Sequence, residues 1–145
     1  MISSGSFSNE RNTELDLYDL GSALSRCSGD YEFASMFHRI TEPEDTSLSK
    51  LLHEHSNGWL TAGIANYYFS GLTREASVVS AEGKRDVVIT QWSSALESLS
   101  NNNYQDIDTM TTNLLGRVAV CNKWDNIVVE SQKKLKKEWL SRPKD

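Results

Sequence analysis

Five apolar residues recur at intervals of seven near the end of the chain: Ile107, Leu114, Cys121, Val128 and Leu135. Met110, Val118, Trp124 and Trp139 stand three or four residues after four of them. A seven-residue period returns to the same side of an α-helix every two turns. The pattern therefore predicts one long helix over residues 106–140 with an apolar stripe along it. The run contains no proline and one glycine, Gly116. Unbroken, it would be about 50 Å long, more than a small domain is wide. The remainder of the chain is expected to pack against it.

The 145 residues suit one domain with a real core. Residues 1–11 are rich in Ser and Asn and poor in apolar side chains, which predicts a flexible tail ahead of a single helical domain over residues 12–145. In composition that start resembles the Ser- and Asn-rich tails of some proteins exported by bacterial specialised secretion systems. No secretory signal or membrane-length apolar run is visible, so the expected location is the cytoplasm, with export by a signal-peptide-independent route as the alternative. The two cysteines, Cys27 and Cys121, are then expected to be reduced, with Cys121 a core residue of the stripe.

Upstream, residues 13–26 read as a first helix striped by Leu17, Leu20 and Leu24, with Ser28-Gly29 as its stop. Asp30 would cap a second short helix carrying Phe33, Met36, Phe37 and Ile40, ended by Pro43. Asp45 or Thr46 would cap a third, carrying Leu48, Leu51, Leu52 and His55 up to a break at Ser56-Asn57-Gly58. Residues 59–71 form the next, whose small residues Ala62, Gly63 and Ala65 invite close approach by a neighbour. Residues 82–100 form another, and Asn101 to Asn103 are a loop. The fold class is thus all-α, several short helices on one long C-terminal helix. Residues 76–91 and 118–129 are rich in β-branched side chains, and the alternative is a mostly helical fold with one small β-hairpin.

Chemistry-bearing patterns are weak. His53 and His55 are two apart, which on a helix points them about 200° away from one another, so they cannot share a metal. His55 is expected half-buried under the leucines and His38 exposed. No Gly-x-Ser-x-Gly elbow or phosphate-binding glycine loop occurs. Glu42, Glu44 and Asp45 sit where a helix start needs acidic groups. No catalytic residue, cofactor site or metal ligand is therefore assigned. A helix-turn-helix outline over residues 50–69 has no Lys or Arg between Lys50 and Arg74, which disfavours nucleic acid as partner.

Charge is uneven. Residues 1–131 carry 9 basic and 18 acidic side chains, while residues 132–145 carry 6 basic and 2 acidic. The basic end includes Trp139 and Leu135 among Lys133, Lys134, Lys136 and Lys137. The expected function is non-enzymatic protein–protein interaction or self-association: an adaptor, chaperone or assembly subunit, bacterial in type. Trp124, Val128, Leu135 and Trp139 of the long helix are the expected contact residues. Two alternatives stand beside it: a secreted effector or toxin-neutralising binding protein, and a small hydrolase whose His/Cys/Asp site forms only in the fold.

Overall fold

The computed structural model describes the backbone of residues 9–99 and 104–142, and side chains over residues 17–99 and 106–142. Within these it is all-α: α1 (Asn9–Thr41), α2 (Thr46–Phe69), α3 (Arg74–Ser98), α4 (Tyr104–Cys121) and α5 (Asp125–Ser141), with a single 3-10 turn at Asn122–Trp124 between the last two. The expected all-α class is what the chain adopts, and among the described residues there is no strand. Residues 76–91 lie wholly inside α3, and residues 118–129 are helix and 3-10 turn. The proposed tail and the loop at residues 101–103 fall mostly outside the described residues; residues 9–11 already belong to α1.

The short early helices merge. Residues 9–41 form one helix of 33 residues, and residues 46–69 form one of 24. Ser28-Gly29 and Ser56-Asn57-Gly58 were expected to break the chain, yet both lie mid-helix. They are small because helices touch there. Gly21, Ser28 and Ser35 on α1 are spaced by seven, as are Ser49, Ser56 and Gly63 on antiparallel α2. The two series meet rung by rung. Ser28 Oγ donates to the Ser56 carbonyl at 2.8 Å, Ser56 Oγ to the Ser28 carbonyl at 2.9 Å, and Ser35 Oγ to the Ser49 carbonyl at 2.6 Å. At the third rung, a Cβ on Gly63 would stand 2.1 Å from Ser25 Oγ and 3.2 Å from the Gly21 carbonyl. Gly29 makes the matching contact with α3, where a Cβ would lie 2.6 Å from the Arg85 carbonyl. The anticipated close approach at Ala62, Gly63 and Ala65 is realised, and both alanines are fully buried.

The true boundaries carry the expected signals. α1 stops at Thr41 before Pro43, whose ring disfavours helix at the preceding residue. Asp45 caps α2, accepting from the Leu48 amide at 3.5 Å, and Thr73 Oγ1 caps α3, accepting from the Ala76 amide at 3.1 Å. α2 ends with the Leu72 amide on the Tyr67 carbonyl and the Gly71 amide on the Tyr68 carbonyl. That closure needs a positive φ, which Gly71 supplies at 119°.

α4, the 3-10 turn and α5 together act as the fourth column of a bundle. The sevenfold stripe survives the interruption: Leu114, Cys121, Val128 and Leu135 are all buried. α4 runs antiparallel to α1, seating Met110 and Leu114 against Phe33 and Phe37. α5 then crosses to α2, where Gln132 Nε2 donates to the Gly58 carbonyl at 2.8 Å and Asn66 Nδ2 to Ser131 Oγ at 2.9 Å. The turn sits where Tyr31 OH donates to Asn122 Oδ1 at 2.6 Å, so the bend is shaped around the Tyr31 ring.

Candidate functional site

The four residues anticipated as partner contacts have separate fates. Val128 and Leu135 are buried, at 7% and 4% exposure, against their own chain. Trp139 is half-buried: the Tyr68 ring meets it edge-on at 5.6 Å and the Arg74 guanidinium lies 4.4 Å over its face. The stripe outlasts the domain in sequence, but α2 and the start of α3 extend far enough to cover it. The expectation that the end of the long helix would stand free is thereby corrected for these three. Trp124 lines an open groove, and Val128, though buried, forms part of the wall of a smaller cleft with His55, Trp59 and Gln132.

The groove, of about 680 Å³, lies between the first half of α1 and α5. Leu17, Leu20 and Ala23 form one wall, and Trp124 and Ile127 the other. Asn66 and Ser131 sit at its base, their side chains satisfied by each other. Asp19, Glu130 and Lys134 stand at its edge. Ile127 is 36% exposed and so contributes apolar surface to solvent. Beyond Lys134, α5 presents Lys133, Lys136 and Lys137, all exposed.

A second cluster adjoins this groove. Cys27 and Cys121 are joined, with their Cα atoms 5.9 Å apart, tying α1 to the end of α4 across 94 residues. The expectation of two reduced cysteines is corrected. Cys121 does belong to the core, and Cys27 is not a helix end but a mid-helix residue packed against it, 1% exposed. Cys27 and Asp30 are three apart on α1, which places both toward α4. The Asp30 side chain is 3% exposed. Its Oδ1 accepts from Trp92 Nε1 of α3 at 2.8 Å, and its Oδ2 lies 3.7 Å from the Arg117 guanidinium and 3.8 Å from Cys121 Sγ. A disulfide sulfur has no proton, so this last approach is a contact and not a donated bond. Burial pushes the Asp30 carboxyl above its ordinary value, against the opposing pull of the Trp92 hydrogen bond and the Arg117 and Arg26 charges. Burial likewise raises the adjacent Tyr31 phenol to about 12, helped by the negative charges of Asp125 and Asp30.

Two clefts flank this cluster. One, about 710 Å³, is lined by Asp30, Trp92, Gln91, Thr112, Arg26 and Arg117. The other, about 280 Å³, reaches Cys27 between Asp19, Arg26, Arg117 and Trp124. The histidines are elsewhere. His53 Nδ1 is 2.7 Å from Glu32, His38 Nε2 is 3.2 Å from Asp45, and His55 stacks on Tyr31. His55 is exposed and His38 is half-buried, the reverse of the expectation; the third short helix is really the first part of α2, which turns His55 outward. The helix-turn-helix outline disappears for the same reason: residues 50–69 are continuous helix.

Asp30 was read as a helix cap, whereas it lies inside α1, and Trp92 and Arg117 were not singled out by sequence. With Ser28-Gly29 read as a helix stop, Cys27 and Asp30 fell on separate elements, and nothing local says that an indole and a guanidinium arrive there from α3 and α4. Among the described residues, no helix is long and apolar enough to cross a membrane. No protein family model, no curated protein and no solved structure matches the chain.

Proposed function

We propose that the protein is a non-enzymatic binding module whose contact surface is the groove between α1 and α5. The observation that supports this reading is the groove's wall: Trp124 and Ile127 face Leu17 and Leu20 across open space, while the remainder of the C-terminal stripe is spent on the core. An apolar slot between two helices suits an apolar segment of another protein laid along it. Lys134 at the edge, with Lys137 one turn on, selects a segment carrying acidic side chains at that end. Adaptor, chaperone and assembly subunit all remain within this reading.

The test uses two single variants. Ile127→Asp places a charge on the wall, and Lys134→Glu reverses the edge. A protein retained by the wild type and bound as a purified pair should lose at least tenfold affinity to Ile127→Asp. Lys134→Glu should slow association most strongly at low salt. Equal binding by wild type and Ile127→Asp would contradict the proposal.

A second reading rests on the Cys27–Cys121 bond. Buried disulfides persist in oxidising surroundings and are uncommon in reducing ones. The bond therefore favours the exported alternative, a secreted effector or neutralising protein acting by binding. Alkylation of the protein in intact cells and in the surrounding medium, before lysis, decides it: an oxidised pair found only outside the cell supports export.

A further inference from the structure

A covalent staple between helices needs only apolar wrapping. The Cys27–Cys121 bond has something more: a carboxyl group buried against it and held in place by side chains from two other helices. Trp92 Nε1 fixes Asp30 Oδ1 at 2.8 Å and leaves Oδ2 facing Cys121 Sγ at 3.8 Å. In the disulfide form, that oxygen and that sulfur can share a hydrogen bond only if the carboxyl carries the proton. In the dithiol form the sulfur can carry it. The pair is thus arranged for a proton to pass between them when the S–S bond opens or closes. Cys27, the other sulfur, forms part of the wall of the small cleft under Arg26 and Arg117.

We propose that Cys27–Cys121 is a thiol–disulfide exchange site, in which Asp30 protonates the Cys121 sulfur and anionic thiols reach Cys27 through the arginine-lined cleft. The electron pair of a thiolate forms a bond to Cys27 Sγ. The Cys27–Cys121 bond breaks, its electron pair moves to Cys121 Sγ, and that sulfur takes the proton from Asp30. The resulting carboxylate keeps the Trp92 hydrogen bond and the Arg117 charge. A second thiolate attacks the reductant's sulfur in the mixed disulfide, releasing Cys27 as thiolate, which water protonates. The two protons given up to solvent by the reductant thiols return to Asp30 and to the Cys27 thiolate, so the sum is one protein disulfide and two thiols giving one protein dithiol and one reductant disulfide. The charged groups around Asp30 are Arg117 from α4 and Arg26 from its own helix; α3 contributes the neutral indole of Trp92, and the Tyr31 phenol lies alongside. Burial of Asp30 keeps its carboxyl protonated to higher pH than an ordinary aspartate, which favours its role as the proton donor to Cys121 Sγ.

Reduction of the folded protein is followed by mass-tagging of released thiols, with mercaptoacetate, 2-mercaptoethanol or cysteamine as reductant. Rates are expressed per thiolate. The wild-type rate constant should fall as pH rises through the titration of Asp30, because its protonated fraction falls. Asp30→Asn, which keeps an acceptor for Trp92, should be at least tenfold slower at the acidic end and flat with pH. Mercaptoacetate should outpace cysteamine, and Arg117→Gln should remove most of that preference. Three results would overturn the proposal: a rate independent of thiol concentration, showing that the bond is reached only by unfolding; a flat wild-type profile; or no preference for the anionic thiol. The wild-type measurements decide even where Asp30→Asn does not fold.

Discussion

Ser28 and Ser56 each donate their hydroxyl proton to the other's backbone carbonyl, at 2.8 and 2.9 Å, across the α1–α2 interface. Two helices can exchange such bonds only if their backbones nearly touch. The rungs above and below, Ser35 with Ser49 and Gly21 with Gly63, hold the same spacing. The long α1–α2 hairpin is therefore a seam of small residues with polar stitches, and the aromatic and aliphatic bulk lies on its two flanks. α3 packs against both helices of the hairpin, α4 against α1 and α5 against α2.

The seam predicts opposite outcomes for two glycines. Gly63→Ala sets a methyl 2.1 Å from Ser25 Oγ and 3.1 Å from the Ser25 amide nitrogen, so the helices must part. Overpacking of that kind costs about 2–3 kcal/mol, and Tm should fall by roughly 6–12 °C. Gly83 lies within α3 with nothing within 4 Å of an added Cβ. Gly83→Ala should raise stability by about 0.5–1 kcal/mol through helix propensity alone. Thermal melts followed by circular dichroism check both.

Much of the architecture was legible, and the misses have one cause. Where a residue's role is local, sequence reveals it: Asp45 and Thr46 were read at the start of α2, Pro43 just past the end of α1, and the sevenfold stripe from Leu114 to Leu135 in the core. Where small residues serve a neighbour, the local reading fails. Ser28-Gly29 and Ser56-Asn57-Gly58 look like turns because Gly and Ser favour turns in isolation. In the fold they are the contact points of α1 with α2 and α3, and tertiary packing overrides the local preference. The candidate sites divide the same way. Trp124 was legible as an aromatic on a stripe. The groove it lines depends on how the fourth column passes from α1 to α2 at the 3-10 turn at Asn122–Trp124, which periodicity does not encode.

Removing the Cys27–Cys121 bond should cost substantial stability. The bond closes a loop across 94 residues, and in the chain-entropy account such a closure contributes about 4–5 kcal/mol by restricting the unfolded chain. The double change Cys27→Ala with Cys121→Ala should unfold at roughly 2–3 M less urea than the oxidised wild type. A reduced wild type that unfolds at the same urea concentration as the oxidised one would contradict this.

Leu135 belongs to the core. It is 4% exposed despite its lysine neighbours, so Leu135→Ala should lower stability by about 2–4 kcal/mol, with an accompanying fall in Tm. An unchanged Tm would mean that the end of α5 does not rest on α2 in solution.

Asp30 makes stability depend on pH in the unusual direction. Its folded carboxyl binds a proton more tightly than the unfolded value of 3.8. Between that value and the raised one the folded state holds more protons, so rising pH destabilises the fold across this window. The slope attributable to one group is at most about 1.4 kcal/mol per pH unit. Asp30→Asn should flatten the urea-midpoint profile in this window relative to wild type.

On the proposed function, the α1–α5 groove is where this protein meets another. A photo-crosslinking amino acid placed at Ile127, in the groove wall, tests it in the protein's native cells, with the same residue at Gly83, on an open face of α3, as the reference. The account predicts one dominant adduct from position 127, mapped by mass spectrometry to an apolar segment bearing acidic residues, and its loss when Lys134→Glu is added. Absence of an adduct at position 127, or the same adducts from positions 127 and 83, would contradict the claim.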